Sequence, residues 1–125
     1  MASPRPKLQN TLALAMQHHQ AGRLAQAAQL YQEIIARDPH HADALRLLGV
    51  VAHQFGKDEL AADLLGQAIS VNPRIAEYHS DLGLALHALG RHKQAIAAFL
   101  TALELKPDLA EAHYNLANAQ GRRAA

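Results

Sequence analysis

Residues 76–109 read AEYHSDLGLALHALGRHKQAIAAFLTALELKPDL, and the fold follows from where this stretch is broken. Gly90 divides it into two apolar-rich halves and Pro107 closes it. Working outward, Gly22, Gly56 and Gly90 recur every 34 residues, and so do Pro39, Pro73 and Pro107. Two helix breakers in step indicate one supersecondary unit copied three times, the signature of a stacked repeat array. A fourth copy begins after Pro107 and stops near Gly121.

The segments between breakers read as helices. Half of the 125 residues are apolar, mostly Ala and Leu, which are strong helix formers. The pattern predicts first helices near 8–20, 42–54, 76–88 and 110–120, and second helices near 24–37, 58–71 and 92–105. Each internal Gly can take the left-handed conformation that ends a helix. Arg23, Lys57 and Arg91 follow directly, beside the negative end of the helix dipole. Each Pro forbids continuation and pushes Asp38, Asn72 or Lys106 out of the α region. The expected organisation is a leader over 1–7, repeats over 8–41, 42–75 and 76–109, a half repeat over 110–120 and a tail over 121–125.

Side chains repeat as columns. Leu14, Leu48, Leu82 and Leu116 form one, followed by the small residues Ala15, Gly49, Gly83 and Ala117. On the second helix, Ala27, Ala61 and Ala95 precede Tyr31, Leu65 and Phe99 by four. Small residues facing large ones let antiparallel helices approach and interdigitate. In the half repeat, Ala112, Ala119 and Gln120 suit exposure to water, while His113 and Leu116 are expected to pack back on the third hairpin.

Leu82-Gly83, Gly90, Ala95, Phe99, Ala102 and Pro107 resemble a tetratricopeptide repeat, as do Leu48-Gly49, Gly56, Ala61, Leu65, Ala68 and Pro73. Leu14-Ala15, Gly22, Ala27, Tyr31, Ile34 and Pro39 form a looser copy. The family's early Trp is replaced by Thr11, Leu45, His79 and His113. The resemblance implies an all-α, right-handed superhelical solenoid of antiparallel helix hairpins. It also implies a concave groove, lined by first helices, that receives a peptide or protein segment.

Helical spacing places the candidate groove residues. They are Leu12, Met16 and His19 on the first copy, and Asp43, Arg46, Leu47, Val50 and His53 on the second. Glu77, Ser80, Asp81, Leu84 and His87 follow on the third, and Glu111, Tyr114, Asn115 and Asn118 on the half repeat. Met16, Val50 and Leu84 make an apolar stripe, continued by Leu12 and Leu47. Asp43, Glu77, Asp81 and Glu111 make an acidic flank. An exposed apolar stripe on a charged surface marks a binding site. The expected ligand carries Lys or Arg beside large apolar residues. An acidic chaperone tail does not fit, because Glu77 and Asp81 repel a carboxylate. The half repeat leaves room for self-association through the C-terminal helix.

Several function classes are disfavoured. The formal net charge is +1, yet residues 8–121 hold eight Lys/Arg against eleven Asp/Glu. That body lacks the basic face that nucleic acid requires. No apolar run approaches the roughly 20 residues that span a bilayer. With no Cys, thiolate sites are excluded and a reducing, cytoplasmic setting is expected. No G-x-S-x-G, H-E-x-x-H or G-x-G-x-x-G motif occurs. Gly56-Lys57 is not a phosphate loop, since Val51 and Asp58 stand where Gly and Ser or Thr are needed. The expectation is a non-enzyme without cofactor.

The nine His include a column, His19, His53 and His87, which could tune binding between pH 5 and 8. No two His lie three or four apart, the spacing metal-binding helices favour, so no metal is expected. Two alternatives stand beside the binding module. One is the recruiting arm of a larger O-glycosyltransferase, whose arrays carry an Asn ladder; here only Asn115 fills that column, against Ala13, Leu47 and Asp81. The other is a self-assembling scaffold.

Overall fold

The internal Gly of each repeat does what its position requires. In the computed structural model, which describes residues 7–121, Gly90 has φ +79°. Its N–H reaches the His87 carbonyl at 2.9 Å, while Arg91 N–H reaches back to Leu86 at 2.9 Å. This paired closure satisfies carbonyls that the helix end would leave bare. The same pair recurs at Gly22–Arg23 and Gly56–Lys57. Before each Pro the backbone leaves the helix: Lys106 sits at φ −144°, ψ 88°.

Seven helices result. They are α1 (Leu8–Gln20), α2 (Leu24–Arg37), α3 (Ala42–Gln54), α4 (Asp58–Val71), α5 (Ala76–Ala88), α6 (His92–Leu105) and α7 (Ala110–Ala119). No strand occurs among the described residues. Helices pack in chain order, α1 on α2, α3 on α4 and α5 on α6 within hairpins. Between hairpins α2 meets α3, α4 meets α5 and α6 meets α7. The first helices also touch one another, α3 with α5 and α5 with α7. Neighbour-only packing of this kind defines a solenoid.

The core is built from the small and large columns. Ala15, Ala27 and Tyr31 are fully buried, as are Ala61, Ala95 and Phe99. A Cβ added at Gly49 would lie 3.0 Å from Leu65 Cγ. At Gly83 it would fall 2.6 Å from Phe99 Cε1 and within 3.0 Å of two more ring atoms. The third hairpin is therefore closed by an aromatic ring lying on bare backbone.

The ends depart from the sequence expectation in four places. Leu14 is 46% exposed although Leu48 is 8%, because no hairpin precedes α1 among the described residues to cover it. Ala112 is fully buried rather than facing water, packed with Ala76, Ala102 and Leu109. Helix α7 sits against both α5 and α6, which buries Ala112, while Tyr114 on the same helix is 69% exposed. His113 is exposed and donates Nε2–H to the Pro107 carbonyl at 2.8 Å instead of packing inward. Leu116 packs back on the Leu86, Ala95, Ala98 and Phe99 cluster as expected, whereas Ala119, expected to face water, is half-buried against the same cluster. Residues 1–6 of the expected leader and 122–125 of the tail lie outside the described residues.

Candidate functional site

The first helices of a solenoid form one wall by construction, and cross-repeat contacts show how their side chains meet. Three hydrogen bonds join residues 35 apart, one repeat plus one position. His19 Nε2 donates to Gln54 Oε1 at 2.8 Å. The Tyr78 hydroxyl donates to Asp43 Oδ1 at 2.9 Å. Arg46 Nε donates to Asp81 Oδ2 at 2.7 Å. Each rung thus pairs a side chain with the one just past its counterpart in the next repeat, which the 34-residue columns do not reveal. Tyr31 completes the first rung by donating to His19 Nδ1 at 3.1 Å.

The apolar stripe opens into two hollows. One, of about 200 Å³, is lined by Met16, His19, Gln20, Tyr31 and Leu47, between α1 and α3. The next is a narrow cleft lined by Gly49, Val50, His53, Leu65, Asp81 and Leu84, between α3 and α5. Met16 is 38% exposed. Leu12 and Leu47 are partly buried against the first core cluster, so they form the floor of the wall more than its surface.

Charge collects further along. Asp81 belongs to both the apolar cleft and the ion pair with Arg46. Burial raises the Asp81 carboxyl above its ordinary value, and Arg46 opposes that rise. Burial lowers Arg46, yet the charge and hydrogen bond of Asp81 outweigh it, with Glu77 and Glu111 adding to the rise. The guanidinium therefore sits in a field contributed by α5 and α7 together. Glu77 lies 3.5 Å from Lys106 Nζ. Burial and then the Asp43 hydrogen bond push the Tyr78 hydroxyl up to about 12. Asp43 and Glu111 remain exposed.

The expected site residues thus fall into groups. Met16, His19 and Leu47 come together, as do Val50, His53, Asp81 and Leu84. Arg46 meets Asp81 within the field of Glu77 and Glu111. Ser80 is a correction: it is 2% exposed and faces the interior rather than open surface. A small side chain at this position of α5 is consistent with its tight contacts to flanking helices. His87 turns to His92, across the turn, and joins no groove contact. Tyr114 and Asn118 are exposed and Asn115 half-buried, with no rung tying them to the wall. Tyr31, Gln54, Leu65 and Tyr78 also contribute. Asp43–Tyr78 and His19–Gln54 were visible only by searching at 35 rather than 34.

Another hollow lies elsewhere, lined by Pro39, His40, Leu45, Gln67, Ser70 and Val71 at the junction of the first and second repeats. It has no charged group and no rung of the wall. Among the described residues no three His, Cys, Asp or Glu side chains converge on a common point. No described helix is long and apolar enough to cross a membrane.

Comparison with known proteins agrees with this architecture. A tetratricopeptide repeat model matches residues 12–69, and a TPR repeat model matches residues 83–122. No curated protein matches the chain. Among solved structures, the O-GlcNAc transferase of Thermobaculum terrenum (a K341M mutant) is 32% identical, with a TM-score of 0.89. That match covers 94% of this chain but 22% of the transferase chain. MamA is 25% identical over 94% of this chain and 70% of its own, with a TM-score of 0.85. The first TPR of Spaghetti (RPAP3), bound to the HSP90 peptide SRMEEVD, is 20% identical over 92% of this chain and 91% of its own, at a TM-score of 0.88. The chain belongs to the tetratricopeptide repeat family and is an all-α superhelical solenoid.

Proposed function

We propose that this tetratricopeptide repeat chain is a non-catalytic interaction module. In this reading it holds an extended protein segment in its concave groove, and the segment carries large apolar residues followed by Lys or Arg. The observation that carries this reading is the order of surfaces along the wall. Apolar hollows at Met16/Leu47 and Val50/Leu84 run into a carboxylate cluster in which Asp81 pairs with Arg46 and Glu77 with Lys106, leaving Glu111 and Asp43 exposed to meet a cation. Complementary charge sets specificity and encounter rate, while apolar anchors supply most of the affinity. Arg46 is held by Asp81, which leaves it poorly placed to receive a ligand carboxylate. The likeness to Spaghetti therefore supports the fold and a groove, not an acidic ligand.

A recruiting arm of a larger glycosyltransferase is not favoured. The Asn column of such arrays is here Ala13, Leu47, Asp81 and Asn115. A cytoplasmic setting belongs to the same proposal, supported by the absence of Cys. Self-association through α7 remains part of the proposal as a second contact, and light scattering over a hundredfold concentration range tests it.

The test of the groove uses two fluorescein-labelled peptides, one alternating Leu and Lys and the other SRMEEVD. Anisotropy should show the first binding more tightly, and weakening as salt rises. Val50→Asp with Leu84→Asp should abolish it. Equal binding of SRMEEVD, or indifference to both substitutions, would overturn the proposal.

A further inference from the structure

The turn between first and second helix brings repeat positions five apart into contact. His53, in the last turn of α3, donates Nδ1–H to Asp58 Oδ1 at the start of α4. One repeat on, His87 in the last turn of α5 meets His92, the first residue of α6. Their Nδ1 atoms lie 2.9 Å apart, with ring centroids at 4.8 Å and planes inclined by 62°. The same juxtaposition in two repeats comes from the Gly-closed turn, so the backbone itself presents the two imidazoles to each other. A helical search at spacings of three or four passes over this pair, because the chain reverses between them.

From this geometry we propose that His87 and His92 form a two-histidine chelate for a divalent transition metal, with Cu²⁺ preferred and Ni²⁺ next. Imidazole nitrogen is a good ligand for these ions, and affinity rises through Ni²⁺ to Cu²⁺. With metal–imidazole bonds of about 2.0–2.1 Å, nitrogens 2.9 Å apart subtend about 90° at the metal. That angle fits cis positions of the tetragonal geometry that Cu²⁺ and Ni²⁺ adopt, and is narrower than a tetrahedral Zn²⁺ site wants. In the metal-free pair one Nδ1–H bridges to the other Nδ1. Binding needs both lone pairs, so that proton leaves Nδ1 and the same ring is protonated on Nε2 instead. The neutral pair then loses no net proton. The remaining positions on the metal fall to water, since among the described residues no third side-chain ligand converges here.

Surrounding charges set limits. Arg91 and Lys93 flank His92 in sequence, but Arg91 Nη2 is held by Glu59 Oε1 at 2.8 Å. The C-terminal end of α5 favours a cation at His87, and the N-terminal end of α6 disfavours one at His92, so the two dipoles largely cancel. The equivalent His53–Asp58 pair offers one imidazole and one carboxylate, a weaker set for these ions.

The experiment is calorimetric titration of the full chain with CuCl₂ and with NiCl₂ at pH 7.5, alongside Cu²⁺ EPR. His87→Ala and His92→Gln should each weaken the tightest site at least tenfold, with metal-free melting temperatures unchanged. The EPR of the native chain should show coupling to two equivalent nitrogens, reduced to one in either variant. Lowering the pH should weaken binding, because protons compete with the metal for the ring nitrogens. Affinity unchanged in both variants would overturn the proposal. An equal loss in a His40→Ala/His41→Ala control, whose histidines lie away from this turn, would overturn it too.

Discussion

The second and third hairpins have the same backbone and the same helix lengths, yet they are held shut by different means. In the second, Leu65 closes over Gly49 with Cγ at 3.0 Å from a would-be Cβ. In the third, the Phe99 ring lies so close to Gly83 that three ring atoms would come within 3.0 Å. At the position where the family places an early Trp, the second hairpin has Leu45, 1% exposed and bordering the hollow at the repeat junction. The third has His79, which donates to the Pro73 carbonyl at 2.8 Å. The half repeat copies the third, with His113 on Pro107. A repeat period therefore preserves places in space, while each copy chooses between burial and hydrogen bonding to fill them.

The largest effect expected from this contrast is at Leu45. Leu45→Ala should cost about 2–5 kcal/mol by adding a cavity beside an existing hollow. A urea midpoint close to that of the unaltered chain would show that the second hairpin does not depend on this burial.

Overpacking the third hairpin comes next. Gly83→Leu should cost on the order of 1–3 kcal/mol. Gly49→Ala should change little, because the helix propensity gained, about 1 kcal/mol, offsets a contact in which buried Leu65 must shift by a few tenths of an ångström. Phe99→Leu should relieve part of the Gly83→Ala cost in a double-mutant cycle. Strict additivity of the two would remove the ring-on-backbone contact as the cause.

His79→Ala should cost less, about 0.5–1.5 kcal/mol for one partly exposed hydrogen bond. If it proved as costly as Leu45→Ala, the contrast between burial and bonding at this position would be wrong.

The smallest effect concerns the rung between the two hairpins. Tyr78, with its hydroxyl pushed up to about 12 by burial and Asp43, keeps its proton in the fold at pH values where an unfolded tyrosine loses it. Below about pH 10 both states hold the proton and the contribution is full. Between there and about 12 the unfolded chain alone deprotonates, so stability falls as pH rises. Absorbance at 295 nm should show Tyr78 titrating late, beside Tyr31, whose hydroxyl burial also raises, and Asp43→Asn should bring the Tyr78 step earlier. A Tyr78→Phe variant that kept the full late amplitude would assign all of it to Tyr31.

Much of the architecture was legible because helix breakers and column residues act locally. Gly90 terminates α5 through its own φ, and Pro107 ends α6 through its own ring, whatever surrounds them. Gly83 beneath Phe99 was legible too, since a bare Cα facing a large side chain is a property of the two columns. The candidate site was legible only in outline. Met16, Val50 and Leu84 reached the wall, but Ser80 went inside and His87 turned to His92.

Sequence alone determined the helices, their breaks, the repeat and the presence of apolar and acidic residues on one side of the first helices, because each of these depends on a residue and its neighbours within one or two turns. Tertiary structure decided the 35-residue rungs, the pairing of Arg46 with Asp81, the burial of Ala112 and the exposure of Leu14. Those depend on how far one hairpin slides along the next and on which flank has a neighbour, and stagger between rigid helices is set by the sum of all their packing contacts rather than by any single side chain.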